Sequence, residues 1–157
     1  MNTVQILNFE EKYKEDLKRL SYEWLEKYVS VEPEDEKILN NPQGVVIDRG
    51  GYIFFAKCVE EIVGTVSLIR INENAFELAK LAVTERFQGS GIGNKLMSHC
   101  LNVAKQNGAK EVILFTNHVL TAAIRLYEKF NFEKIPLENN KYIEADLKMK
   151  LQLYGDE

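Results

Sequence analysis

Glu77-Leu78-Ala79-Lys80-Leu81-Ala82-Val83-Thr84-Glu85-Arg86-Phe87-Gln88-Gly89-Ser90-Gly91-Ile92-Gly93 is the stretch that decides the fold. Its first half carries small and apolar residues on both faces, so Ala75–Thr84 reads as a strand in the middle of a sheet. Its second half, Gln88–Gly93, opens a helix that runs to about Asn107, because Leu96, Cys100 and Val103 continue an apolar stripe with Ile92. Glycines let successive amides turn inward and let a ligand approach the backbone. A helix start adds unpaired N–H donors and a partial positive charge, so the three parts together favour a phosphate or pyrophosphate. Two better-known phosphate loops do not fit. Gly93-Asn94-Lys95-Leu96 breaks the G-x-x-x-x-G-K-[ST] pattern, and Asn94 stands where a dinucleotide fingerprint needs glycine. Taken alone, the turn can also be read as a glycine-rich connection that binds nothing.

Upstream, Thr3–Phe9 reads as a short strand, and Tyr13, Leu17, Leu20, Trp24 and Tyr28 recur at helical spacing. A shorter helix follows Pro33 and ends before Pro42, since proline suits a first turn and disfavours helix in the residue before it. Tyr52–Val59 and Ile62–Ile71 are β-rich runs joined by a tight turn at Glu60-Glu61. Downstream come a strand Glu111–Asn117, a helix of roughly Leu120–Phe130, a very short strand Phe132–Ile135 and a polar turn Pro136–Lys141. In the last strand Ile143, Ala145, Leu147, Met149, Leu151 and Leu153 point one way and the polar residues between them the other. Early antiparallel strands followed by strand–helix–strand–helix place the chain in the α/β (α+β) class. The expected architecture is a mixed, mostly antiparallel seven-stranded sheet flanked by about four helices, in a single domain over residues 1–157.

At 45% hydrophobic and 28% charged residues, the chain has the composition of a soluble globular protein that can bury a core without metals or cross-links. No apolar run approaches the ~18 residues of a membrane span, and Met1–Gln5 lacks the basic and apolar regions of a secretory signal. Cys58 and Cys100 have neither C-x-x-C spacing nor a nearby histidine pair, which suggests reduced core residues, no metal and a cytoplasmic setting. A net charge of −4 argues against nucleic acid or an acidic membrane as a general partner.

The quoted stretch resembles the cofactor motif of the GNAT N-acetyltransferases, a strand and a short link before [Arg/Gln]-x-x-Gly-x-[Gly/Ala]. Gln88, Gly91 and Gly93 hold its defining positions. Ala122-Ala123-Ile124-Arg125-Leu126-Tyr127-Glu128-Lys129-Phe130-Asn131-Phe132 is similar to the family's A-x-x-L-Y-x-x-x-G-F helix and turn. Asn131 replaces the usual glycine, and asparagine is the next-best residue for a left-handed helix end. The detailed likeness covers about residues 52–135, and the order of elements agrees across the chain.

The resemblance implies the GNAT acyltransferase fold and transfer of an acetyl group from acetyl-coenzyme A (acetyl-CoA) to a primary amine of a small molecule or peptide, without metal. Such chemistry must remove a proton from an ammonium of pKa about 10.4. It must also stabilise an oxyanion and protonate a leaving thiolate. By resemblance, the amides of Gln88, Gly89, Ser90, Gly91, Ile92, Gly93 and Asn94 hold the pyrophosphate. The backbone of Leu81, Ala82 and Val83 pairs with the pantetheine arm, Leu81 facing the thioester carbonyl, and Asn117 touches the same arm. Glu77, eleven residues before Gln88, is the candidate base on the spacing of the histone-acetylating branch; its other reading is a strand-end glutamate that is solvated or paired with Lys80 or another cation, and a water chain, used by other members, is the alternative base. A period of two places Glu77 on one face with Ala79, Leu81 and Val83. Tyr127 is the candidate acid, with packing in an apolar helix face as its other reading; His99 and His118 are reserves. The acceptor pocket is expected from the first two helices, the loop around Gly44–Tyr52 and the turn before the last strand, with Trp24, Tyr28, Tyr52 and Tyr142 available to line it. A non-catalytic acyl-CoA-binding module of the same fold is the competing function, and the long final strand could support a homodimer.

Overall fold

The computed structural model describes residues 3–153. Seven strands form one sheet: β1 (Val4–Asn8), β2 (Tyr52–Cys58), β3 (Glu61–Asn72), β4 (Ala75–Val83), β5 (Glu111–Thr116), β6 (Glu133–Ile135) and β7 (Leu147–Gln152), in the order β1-β2-β3-β4-β5-β7-β6. Every neighbouring pair is antiparallel except β4 and β5. The sheet is therefore mixed and mostly antiparallel, as the sequence indicates. The helices are α1 (Lys14–Tyr28), α2 (Pro33–Asn40), α3 (Pro42–Val45), α4 (Ile92–Gln106) and α5 (Thr121–Lys129). Single-turn α3 is additional to the four expected. Pro42 occupies its first turn, and the Asn41 side chain accepts from the Gly44 amide at 3.2 Å, so the chain restarts a helix straight after α2.

Both faces of the sheet are covered, which explains the two-sided apolar strands. On β2, Phe54, Ala56 and Cys58 join a core with Leu96, Met97 and Cys100 of α4. Ile53 and Phe55 face the other way, into a core with Leu17 and Leu20 of α1 and Ile38 and Leu39 of α2. Gly64 in β3 permits the closest approach of α4: a Cβ there would lie 3.1 Å from Leu96 Cδ1 and 3.2 Å from Ile92 Cγ2. Asn131, at φ +73°, takes the left-handed conformation after α5 that its place in the motif requires.

Two features of β4 create the opening. First, pairing with β5 covers only Ala75↔Glu111, Phe76↔Val112 and Glu77↔Ile113, and the strands part beyond Glu77. Second, Lys80 and Leu81 together face the single residue Val66 of β3, a bulge in which Lys80 adopts φ +58°. The bulge reverses the alternation. Phe76 and Leu78 pack on the α4 side before it, and Leu81 and Val83 do so after it, while Ala82 packs on the α1 side. Glu77 therefore does not share a face with Leu81 and Val83, as uninterrupted period-two counting suggests.

The last strand also begins later than the alternation implies. β7 starts at Leu147, opposite the final residue of β5, Thr116, and Ile143 is 79% exposed instead of facing the core. The amides of Ile143 and Glu144 donate to the Glu32 carboxylate at 2.6 and 2.9 Å, so this stretch crosses to α2 before it can join the sheet. The hairpin turn lies at Val59-Glu60, one residue ahead of the expected pair, with Val59 at φ +60°.

Candidate active site

The wedge between β4 and β5 continues into a cleft with two compartments that meet at Trp24, Leu81, Ala82, Leu120 and Tyr127. One runs along Val83, Gln88 and the glycine turn; the other lies over Glu77 and is roofed by the segment leading into β7.

The glycine compartment has the features of an anion cradle. Gly89 and Gly91 adopt φ of +81° and +88°, and nothing lies within 4 Å of where a Cβ would stand on either. Gly91 caps α4 without a side-chain acceptor, and the helix ladder begins with Lys95 N donating to Gly91 O at 3.1 Å. The amides of Ile92, Gly93 and Asn94 precede that first bond and are available to a ligand at the positive end of the helix. Gln88 turns its side chain back to donate to Val83 O at 3.0 Å, and Ser90 Oγ donates to Phe87 O, which shapes the loop. Ile92, whose side chain is buried in the α4 core, and Ser90 are not among the residues that line this compartment. At the β4 exit, Glu23 of α1 accepts from Thr84 Oγ1 at 2.9 Å and from the Glu85 amide at 3.1 Å, tying α1 to the turn.

Tyr127 lines both compartments while only 8% exposed. Its hydroxyl has no hydrogen-bond partner among the described residues, whereas its ring packs on Phe132 with centroids 6.0 Å apart. Burial pushes the phenol up from 10.0 to about 12. Its folded-state pKa lies above its unfolded value, so its contribution to stability is complete below about pH 10 and is lost as pH rises through about 12. The melting temperature should fall between pH 10 and 12, and Tyr127→Phe should reduce that fall; an identical alkaline profile in the variant would show that other groups cause it.

The second compartment holds a network of buried charge. Glu77 is 3% exposed; its Oε1 accepts from Lys141 Nζ and its Oε2 from the Tyr142 hydroxyl, both at 2.7 Å. Burial is the main cause, and the Glu77 charge the second, of a strong upward shift at the Tyr142 phenol, which therefore stays a hydrogen-bond donor. Lys80, carried by the bulge, ion-pairs with Asp35, whose other oxygen accepts from the Glu32 amide at 2.9 Å. Asn117 reaches the compartment but is engaged: its Nδ2 donates to Glu144 O and its Oδ1 accepts from Val119 N at 3.0 Å.

The geometry thus gathers Glu77, Leu81, Ala82, Val83, Gln88, the glycines, Asn94, Asn117 and Tyr127 around one cleft, with Trp24, Tyr28 and Tyr142 in its walls. Tyr52 and the loop around Gly44 are elsewhere. Tyr52 stacks on Phe54, and its hydroxyl donates to Asn107 Oδ1 at 3.1 Å. His99 packs edge-on to Phe54, and His118, with its side chain 71% exposed, pairs with Asp146, so neither lines the cleft. Sequence reasoning missed Glu32, Asp35 and Lys141, and it considered Lys80 only as a partner for Glu77, whereas Lys80 pairs with Asp35 and Glu77 with Lys141. Lys80 carried a signal, as a lone cation inside an apolar strand; Lys141 carried none, since a lysine in a polar turn is usually solvated. Among the described residues no three His, Cys, Asp or Glu side chains are grouped to hold a metal ion, and no helix is long and apolar enough to cross a membrane.

Residues 9–132 match the sequence profile of the acetyltransferase (GNAT) family, so the chain belongs to that family. Rat N-acetyltransferase 8B is 32% identical over 92 residues, a stretch covering 55% of this chain and 41% of the rat protein. The chain thus aligns with less than half the length of the curated relatives it matches first. Among solved structures, a GNAT-family acetyltransferase from Staphylococcus aureus Mu50 superposes with a TM-score of 0.88 at 22% identity, covering 97% of this chain and 100% of that one. The PaiA N-acetyltransferase from Thermoplasma acidophilum, solved with coenzyme A, superposes with a TM-score of 0.74 at 15% identity, covering 96% and 99%. These likenesses establish the fold.

Proposed function

We propose that this chain is an acetyl-CoA-dependent N-acetyltransferase acting on a primary amine of a small molecule or peptide. The observation that carries the reading is a single cleft joining the uncapped start of α4, the bulged end of β4 and the unpartnered hydroxyl of Tyr127. The amides of Ile92–Asn94 receive the pyrophosphate, and the backbone of Leu81–Val83, freed from β5, receives the pantetheine arm. Glu77 takes a proton from the acceptor ammonium. The neutral nitrogen then attacks the thioester carbonyl carbon, and the Leu81 amide faces the developing oxyanion. As the C–S bond breaks, Tyr127 gives its proton to the sulfur; the acetylated nitrogen sheds its surplus proton to solvent, from which Tyr127 regains one, and Glu77 releases the proton it took to solvent.

Calorimetric titration with acetyl-CoA, using ATP and NAD as controls, tests the cofactor. Selective micromolar binding is expected, and a folded protein that binds none of the three would remove the reading. Tyr127→Phe should lower kcat by roughly 10²-fold, the range of one positioned proton donor, with little change in acetyl-CoA affinity. Because the phenol titrates near 12, neither protein should lose kcat below pH 10 through this group. Wild-type kcat in the variant would return Tyr127 to packing alone.

A further inference from the structure

An ammonium already pairs with Glu77, a carboxylate that lines the compartment assigned to the acceptor, and its role is inferred on the basis of acetyl transfer to an amine. Lys141 Nζ lies 2.7 Å from Glu77 Oε1 and 5.5 Å from the centroid of the Tyr142 ring. Lys80 approaches the same ring, at 5.8 Å, but the two lysines are held differently. The Lys80 side chain is 6% exposed and locked to Asp35, itself fixed by the start of α2. The Lys141 side chain is 39% exposed, hangs from the irregular stretch between β6 and β7, and has Glu77 as its one ion-pair partner among the described residues.

A carboxylate as buried as Glu77 is strongly destabilising without a compensating cation, and the cation beside it here belongs to a half-exposed, flexible side chain. Another ammonium entering the compartment can therefore take over Oε1, with Lys141 released to water and no change in the charge balance. The surrounding wall is apolar and aromatic, from Trp24, Leu25, Val29 and Phe115, with Glu144 as a further carboxylate. Lys80, which lines the compartment, is engaged with Asp35, and Lys141 is engaged with Glu77, which leaves no unengaged lysine there to receive an anionic acceptor.

We propose that Lys141 is an internal place-holder for the acceptor: its ammonium occupies the site beside Glu77 that a cationic primary amine on an apolar body takes, and it thereby sets the KM for that amine. No bond is made or broken in the exchange. Phenethylamine, a monocationic amine with an aromatic body, is the probe, assayed by released thiol at saturating acetyl-CoA. Lys141→Met should lower its KM about fivefold, the size of one part-exposed ion pair, while kcat moves far less. Lys141→Arg keeps the cation and should restore the wild-type KM. A purely structural role for Lys141 would raise KM or lower kcat in Lys141→Met, and that overturns the proposal. It is equally overturned if the arginine variant behaves like the methionine one, if glutamate is acetylated better than phenethylamine, or if neither wild type nor Lys141→Met turns over phenethylamine. Acetyl-CoA titrations of the same preparations separate the two levels. Retained binding assigns a failure to the acceptor proposal, whereas no binding by the wild type removes the acetyl-transfer reading together with it.

Discussion

Replacing Gly91 with aspartate is expected to weaken acetyl-CoA binding by about a hundredfold or more, near 2.7 kcal/mol. Space is not the reason, since a Cβ at this position meets nothing within 4 Å. The backbone contributes part: at φ +88° an L-residue costs about 1 kcal/mol that glycine avoids. The larger part is electrostatic. A carboxylate at the cap would take up the amides of Ile92–Asn94 and repel the diphosphate they are proposed to receive. Because aspartate is a good helix cap, the same change should leave the melting temperature within a few degrees of wild type. Gly91→Asn separates the two causes, for asparagine tolerates the left-handed backbone and carries no charge. Calorimetry should show a loss of roughly tenfold or less for asparagine. Equal affinity in wild type and Gly91→Asp would mean that the α4 start does not hold the cofactor.

Glu77→Gln should lower kcat by roughly 10²-fold at saturating acetyl-CoA, as expected when a positioned base is lost. Glutamine has the same size and can still accept from Tyr142, so the wall of the compartment should survive. What disappears is the charge that pairs with Lys141 and can take a proton. Lys141 is far enough into solvent that losing its partner should change stability by less than about 1 kcal/mol. A normal melting curve with a large fall in thiol release identifies Glu77 as the base. Turnover within threefold of wild type would assign proton removal to a chain of waters, the route other members of the family use.

The glycine side of this cleft was legible in the sequence as a turn and helix start, because backbone geometry leaves a mark there. Gly89, Gly91 and Asn131 sit where left-handed conformations are required, and the apolar stripe from Ile92 marks the helix behind them. The side over Glu77 left little trace, since it depends on long-range partners. Glu32 meets the amides of Ile143 and Glu144 across more than a hundred residues, and no local pattern announces such a pairing. The alternation from Ile143 to Leu153 was sound as a pattern, but it could not show that the first turns of that segment are held by α2 instead of the sheet. Counting faces along β4 failed at Lys80 for a similar reason. A bulge changes parity, and a lysine with positive φ does not advertise itself in composition.

The two halves of the cleft also differ in how they can change over time. The glycine half draws mainly on the run from Leu81 to Asn94 and on the start of α5. The half over Glu77 is spelled by separated phrases in α1, in α2, in β4, at the end of β5 and in the stretch before β7, which must agree with one another. Glu32 is the hyphen between two of them. If the compartment over Glu77 receives the acceptor as proposed, rewriting residues 142–145 would retune which amine is accepted and leave the grip on the acetyl donor as it was, whereas altering Glu32 would loosen the start of α2 and that segment at one stroke.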